Sequence, residues 1–277
     1  MIISIINNII QIIRKITKRD KYVNLINIKK NNQNPLINLL KKNKILTNFI
    51  KLQNNEIIEL EKDVKKILAN FNQTNKSVYV NNINSNQINL IKKHHNLNDP
   101  IFKIALKEEI LDLVVNYFGE RAILWDLRIL KSQNIKNLQI KHDQLWHRDK
   151  YDSKSLRLWV SLSDCDEDCG PFQYLNYDES RNILKSYITR INDEYLQKIN
   201  IFNNIKHLYT KKGDISLIDV SKLLHCGSRI KPNRTRLVFN AIYTTAKPYK
   251  KPTLNPSIRQ ELLNCSPTNL QKSFLSF

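Results

Sequence analysis

Residues 223–243 read LLHCGSRIKPNRTRLVFNAIY. From Thr235 the run is crowded with Leu, Val, Phe, Ile and Tyr and follows a Pro232-Asn233 turn signal, which predicts a strand. Working outward, "DISLIDV" (214–220), "FQYLN" (172–176), "SLRLWVSLS" (155–163) and "RAILWDLRIL" (121–130) carry the same β-branched and aromatic alternation, separated by turns. A helical insertion near 178–199 interrupts them. Strands without regular βαβ alternation favour an antiparallel sandwich or barrel over a doubly wound sheet. Glycine is scarce, at four in 277 residues, so Gly119, Gly170, Gly213 and Gly227 are expected where a Cβ would clash or φ is positive.

Two polar features stand out against these strands. "QLWHRDKYD" (144–152) sets His147 and Asp149 two residues apart, and the opening stretch supplies His225 and then Arg236. With six histidines and 25 carboxylates, chance alone supplies about half of one His-x-Asp or His-x-Glu, so the first pair by itself decides nothing. Joined to a distal histidine it becomes two imidazoles and one carboxylate, the facial set that holds Fe(II) and leaves three coordination positions open. Side chains two apart on a strand share a face, so His147 and Asp149 fit one side of the ion, and the third ligand can come from a distant strand.

In order and spacing, His147-x-Asp149, Trp159 in "LRLWVSLSD", Gly170 in "CGPFQYL", Gly213-Asp214, His225 and Arg236 resemble the phytanoyl-CoA dioxygenase-like branch of the Fe(II)/2-oxoglutarate-dependent oxygenases, over about residues 120 to 246. The resemblance implies a mainly β fold with flanking helices: a double-stranded β-helix, a jelly-roll or cupin-like barrel. It implies His147, Asp149 and His225 as iron ligands. Arg236 would pair with the far carboxylate of 2-oxoglutarate, a role that suits a planar guanidinium fork. Trp159 matches a position near the co-substrate, while its alternation fits plain barrel core equally well. Fe(II), 2-oxoglutarate and O2 follow as cofactor and co-substrates, with ascorbate as a reductant. The implied reaction is hydroxylation of an aliphatic C–H with release of succinate and CO2. Arg234 is the rival to Arg236 and reads as solvent-facing. Where the family has a Pro-Gly-Ser-His-like turn this chain has "NYDESR" (176–181), so substrate identity does not carry over. Cys226 reads as small barrel filler, and His94, His95, His142 and His207 as surface or structural.

Residues 1–75 read as a helical extension packing on or beside a barrel domain of 76–277. "NNEIIELEKDVKKILANF" (54–71) is its clearest helix, capped by Asn54 or Asn55, with Ile57, Leu60, Val64, Ile67 and Leu68 as its apolar stripe. A second helix is expected over "NDPIFKIALKEEILDLVVNYFGE" (98–120), with Pro100 in its first turn and Gly119 at its end. Residues 1–19 form an amphipathic Ile-rich face suited to packing on the domain or to peripheral contact with an anionic membrane.

The net charge of +20 lies in the flanks: 15 basic against 5 acidic side chains in 1–80, 13 against 15 in 81–180, and 17 against 5 in 181–277. Codon drift in an AT-rich genome explains such Lys, Asn and Ile usage, and no basic cluster is interleaved with aromatics, so nucleic acid is not an expected partner. The expected substrate is a small or carrier-linked molecule, and the positive flanks allow an anionic one. A non-catalytic barrel holding anionic partners through its basic flanks is the alternative. Four scattered cysteines make no disulfide framework, and a reducing, cytoplasmic setting is the default. Cys165 and Cys169 read as a turn between strands. The oligomeric state is open.

Overall fold

The computed structural model describes residues 34–73, 79–80, 83–87, 95–134, 144–183, 190–227 and 229–277. Two antiparallel sheets dominate. The larger joins β1 (Ile45–Lys51), β2 (Tyr79–Val80), β3 (Ile83–Gln87), β4 (Ala122–Gln133), β6 (Ser155–Ser161), β10 (Asp214–Asp219) and β12 (Thr235–Thr245) in the order β1-β10-β6-β12-β4-β3-β2. The smaller joins β5 (Trp146–His147), β7 (Phe172–Tyr174), β8 (Arg190–Ile191), β9 (Lys206–Leu208) and β11 (His225–Gly227) in the order β8-β5-β11-β7-β9.

Strand alternation sorts the side chains into layers. On β6, Leu156, Leu158 and Val160 face outward into a core with Phe239, Ala241 and Tyr243 of β12 and the flanking helices. Those helices are α1 (Pro35–Asn43), α2 (Asn54–Gln73), α3 (Pro100–Ala105) and α4 (Glu108–Phe118), which bury Leu40, Leu60, Phe102 and Val114 there. Trp159, Val238, Leu130 and Ile218 turn inward and meet Phe172, Tyr174 and Leu208 of the smaller sheet. The inter-sheet core is therefore the barrel interior. Outside the smaller sheet, Trp146, Leu224 and Cys226 pack against α6 (Asp193–Lys198) through Leu196.

Several sequence expectations meet differences here. The first 75 residues contain a strand as well as helices: β1 pairs with β10 at the sheet edge, with a register shift between Leu46 and Ile50. Its burial pattern is irregular and Asn48 sits at φ 47°, so it lacks the alternation that announces a strand. Helix α2 buries the expected Ile57, Leu60, Val64 and Ile67, but it begins at Asn54, and the Glu56 carboxylate accepts the Gln53 N–H at 2.9 Å. The single helix expected over 98–120 is two, broken at Leu106-Lys107. Gln271 of α7 (Asn269–Leu275) donates to the Leu106 carbonyl at 3.1 Å, a tertiary bond that meets a carbonyl left free at the break. The insertion near 178–199 holds α5 (Tyr177–Ile183), β8 and α6. The amphipathic stretch 1–19 lies outside the described residues, as do His94 and His142.

Candidate metal centre

The site is built on the inner face of the smaller sheet. β11 runs antiparallel to β5 with His225 directly opposite His147, which sets the two imidazoles side by side with ring centroids 4.5 Å apart. Because faces alternate, Trp146 and Cys226 point the other way, so Cys226 fills the outer core of the smaller sheet and not the barrel interior. Each ring is oriented by a carbonyl two residues earlier. His147 Nδ1–H donates to Leu145 O at 2.7 Å and His225 Nδ1–H to Leu223 O at 2.9 Å. With Nδ1 committed as donor, each Nε2 keeps its lone pair for another partner.

Asp149 completes the cluster by a different route from the one its spacing suggests. β5 ends at His147, so strand periodicity does not hold the carboxylate. Its backbone N–H donates to Val220 O at 2.9 Å, and one of its side-chain oxygens is held by a guanidinium. Oδ1 lies 3.6 Å from His147 Nε2, and Oδ2 accepts from Arg157 of β6 at 2.5 Å. One potential ligand atom from each of His147, Asp149 and His225 lies within 4.8 Å of the others.

Electrostatics keep the set in its ligating form. Burial alone would raise the Asp149 carboxyl, but the Arg157 guanidinium and then the two imidazoles hold it well below the usual carboxylate range. Burial pushes His225 down to about 3, reinforced by His147. The His225 Nε2 is buried without a hydrogen-bond partner, a costly arrangement that a metal ion would relieve. Two imidazoles, one carboxylate and an orphaned nitrogen lone pair fit a divalent transition metal.

An aromatic wall runs from this cluster to a second charged feature. Phe172 stacks on His225 at 5.1 Å between centroids, and Trp159 meets Phe172 at 5.4 Å. The Arg236 guanidinium carbon lies 5.4 Å from the Trp159 ring centroid. Arg236 is 3% exposed; it donates to the Gly170 carbonyl, and its second terminal nitrogen reaches Ser132 Oγ at 3.4 Å from the opposite position on β4. Its Nε has no partner, and among the described residues no carboxylate forms a salt bridge with it. Burial pushes its pKa down. Its rival Arg234 is exposed and paired with Asp166.

The structure thus brings together His147, Asp149 and His225, and sets Arg236 and Trp159 side by side across the wall. Cys165 and Cys169 are free and buried beside a turn, as expected. His95 is structural, bonded to Glu261 at 2.8 Å, and His207 stacks with Tyr209. Arg157 and Phe172 were missed. For Arg157 a signal existed: in "SLRLWVS" it shares the inward phase of Trp159, and a cation in the barrel-facing phase requires a partner.

No protein-family model matches the chain, and no curated protein matches it. Solved structures do. One described as the epimerase SnoN in complex with Fe3+, alpha ketoglutarate and nogalamycin RO superposes with TM-score 0.56 at 15% identity, covering 81% of this chain and 88% of that one. EctD from S. alaskensis, with 2-oxoglutarate and 5-hydroxyectoine, gives 0.56 at 14% over 76% of each chain. The non-heme monooxygenase ThoJ gives 0.54 at 15%, over 87% of this chain and 97% of its own. The likeness, with the two antiparallel sheets, establishes the double-stranded β-helix with flanking helices.

Proposed function

We propose that the chain is an Fe(II)- and 2-oxoglutarate-dependent oxygenase of the phytanoyl-CoA dioxygenase-like branch. Its reaction is hydroxylation of an aliphatic C–H on a small or carrier- or CoA-linked substrate, with release of succinate and CO2. The observation that carries this reading is a three-ligand cluster joined through Phe172 and Trp159 to a buried cation with no carboxylate partner among the described residues. The likeness to solved structures that hold iron, alpha ketoglutarate or 2-oxoglutarate supports it.

His147, Asp149 and His225 would hold the iron, which when bound couples O2 and 2-oxoglutarate to oxidation of a C–H bond. The remaining work belongs to the chain. Arg236 binds the far carboxylate of 2-oxoglutarate, an anion that neutralises a guanidinium otherwise expensive to bury. Trp159 and Phe172 exclude water between the two ends of the site. The Leu145 and Leu223 carbonyls fix both imidazoles as Nδ1–H tautomers. An isolated metal centre without 2-oxoglutarate would leave Arg236 without purpose. Neighbours named as an epimerase and as a monooxygenase share the fold, so the choice of hydroxylation rests on the family resemblance of the motifs.

A groove of about 400 Å³ is lined in part by Leu36, Phe49, Lys42, Lys206 and Tyr174, the last being the cross-strand neighbour of His225. Its lining carries two lysines against one carboxylate, Asp178, a small positive balance that suits a substrate with an anionic handle. The test is succinate release: the purified protein should form succinate only with Fe(II), 2-oxoglutarate and O2 together, and His147→Ala should abolish it. Turnover that persists in His147→Ala contradicts the assignment.

A further inference from the structure

Arg157 lies inside the barrel, on the strand that also carries Trp159. Its cross-strand neighbours are Ile218 and Ile242, and its guanidinium reaches from the larger sheet to the Asp149 carboxylate in the segment that follows β5. The contact divides the two oxygens. Oδ2 is taken by Arg157 NH2 at 2.5 Å, while Oδ1 stands 3.6 Å from His147 Nε2, on the side of the imidazole pair. Apart from this bond, Asp149 is positioned mainly by its backbone N–H on Val220, since it lies beyond the end of β5.

A carboxylate with both oxygens free can chelate a metal through two atoms, whereas one whose outer oxygen is bound by a guanidinium offers a single atom. We propose that Arg157 is a positioning residue that restricts Asp149 to one-oxygen ligation and so keeps three coordination positions open at the metal. This inference rests on the metal-site reading above. Opening the fourth position to Oδ2 would leave two places for everything the reaction must bring in.

The test uses Mn(II) with the full chain, read by calorimetry and by water-proton relaxation, which reports the waters on the bound ion. Wild type should bind one Mn(II), and Asp149→Ala should lose that binding; if wild type binds none, the metal-site reading itself fails. Given binding, Arg157→Gln frees Oδ2. It should bind Mn(II) at least as tightly as wild type to within about threefold, yet lose about one third of the inner-sphere relaxation as coordinated water falls from three to two. Arg157→Lys, which keeps a cationic donor, should restore the wild-type relaxation. Wild-type relaxation in Arg157→Gln overturns the inference while leaving the metal site intact. So does weakened Mn(II) binding in both Arg157 variants, which marks the arginine as a structural strut.

Discussion

Arg236 and His225 make the sharpest claims at the level of single side chains. Arg236 is a cation stored in the barrel without a carboxylate partner, so its replacement separates binding from stability. Arg236→Leu should weaken 2-oxoglutarate binding to the metal-loaded protein about 100-fold, the equivalent of a charge-assisted bidentate contact. Its urea midpoint should match or exceed wild type, because an uncompensated buried charge is removed. His225 predicts a pH dependence. Its folded pKa, pushed down by burial to about 3, lies below the usual imidazole value of about 6.5, so the unfolded chain binds the proton first. Stability of the metal-free protein is therefore full above about pH 6.5 and lost as pH falls toward 3, with Asp149 adding a further loss once ordinary carboxylates titrate. Urea midpoints at pH 7 and pH 5 should differ in wild type and differ less in His225→Leu. Most of this site was legible from residue types and order. For Arg157 only the inward phase was legible, because its partner is settled only once the larger sheet folds over the segment after β5.

At the scale of elements, legibility followed length. β4, β6, β10 and β12 announced themselves through alternation, while β5, β8 and β9 are two or three residues long and display no period at all. β1 is longer but carries Thr47 and Asn48 at exposed positions around its register shift. Glycine spacing was a better guide, since Gly119, Gly170 and Gly213 adopt positive φ, while Gly227 lies in β11 opposite Phe172. Gly213 predicts the larger penalty: at φ 88° a Cβ would meet Ile57 Cδ1 at 2.5 Å, where Ile57 anchors α2 to the turn before β10. Gly213→Ala should cost about 2–3 kcal/mol from strain and overpacking together. Gly119→Ala, with nothing near the added atom, should cost only about 1 kcal/mol of backbone strain. Urea unfolding of the two variants checks the difference.

For the whole molecule, the helices cover the outside of the larger sheet and leave the inter-sheet core to the site, so metal binding should couple to global stability. A hundredfold excess of Mn(II) over its Kd should add about 2.7 kcal/mol to unfolding, and Asp149→Ala should abolish the gain. No described helix is long and apolar enough to cross a membrane. The rival account, a barrel holding anionic partners through basic flanks, predicts salt-sensitive binding indifferent to His147 and His225. It gives no reason to bury an unpartnered imidazole nitrogen beside a guanidinium that no carboxylate among the described residues pairs with. The central claim is that these two features serve one bound metal and one keto-acid. Its most direct measurement is the visible spectrum of the anaerobic protein loaded with Fe(II), before and after addition of 2-oxoglutarate. A weak visible charge-transfer band should appear in wild type, and be lost in His225→Ala. A folded wild-type protein that binds Fe(II) and 2-oxoglutarate without that band, or an unchanged band in His225→Ala, contradicts the account.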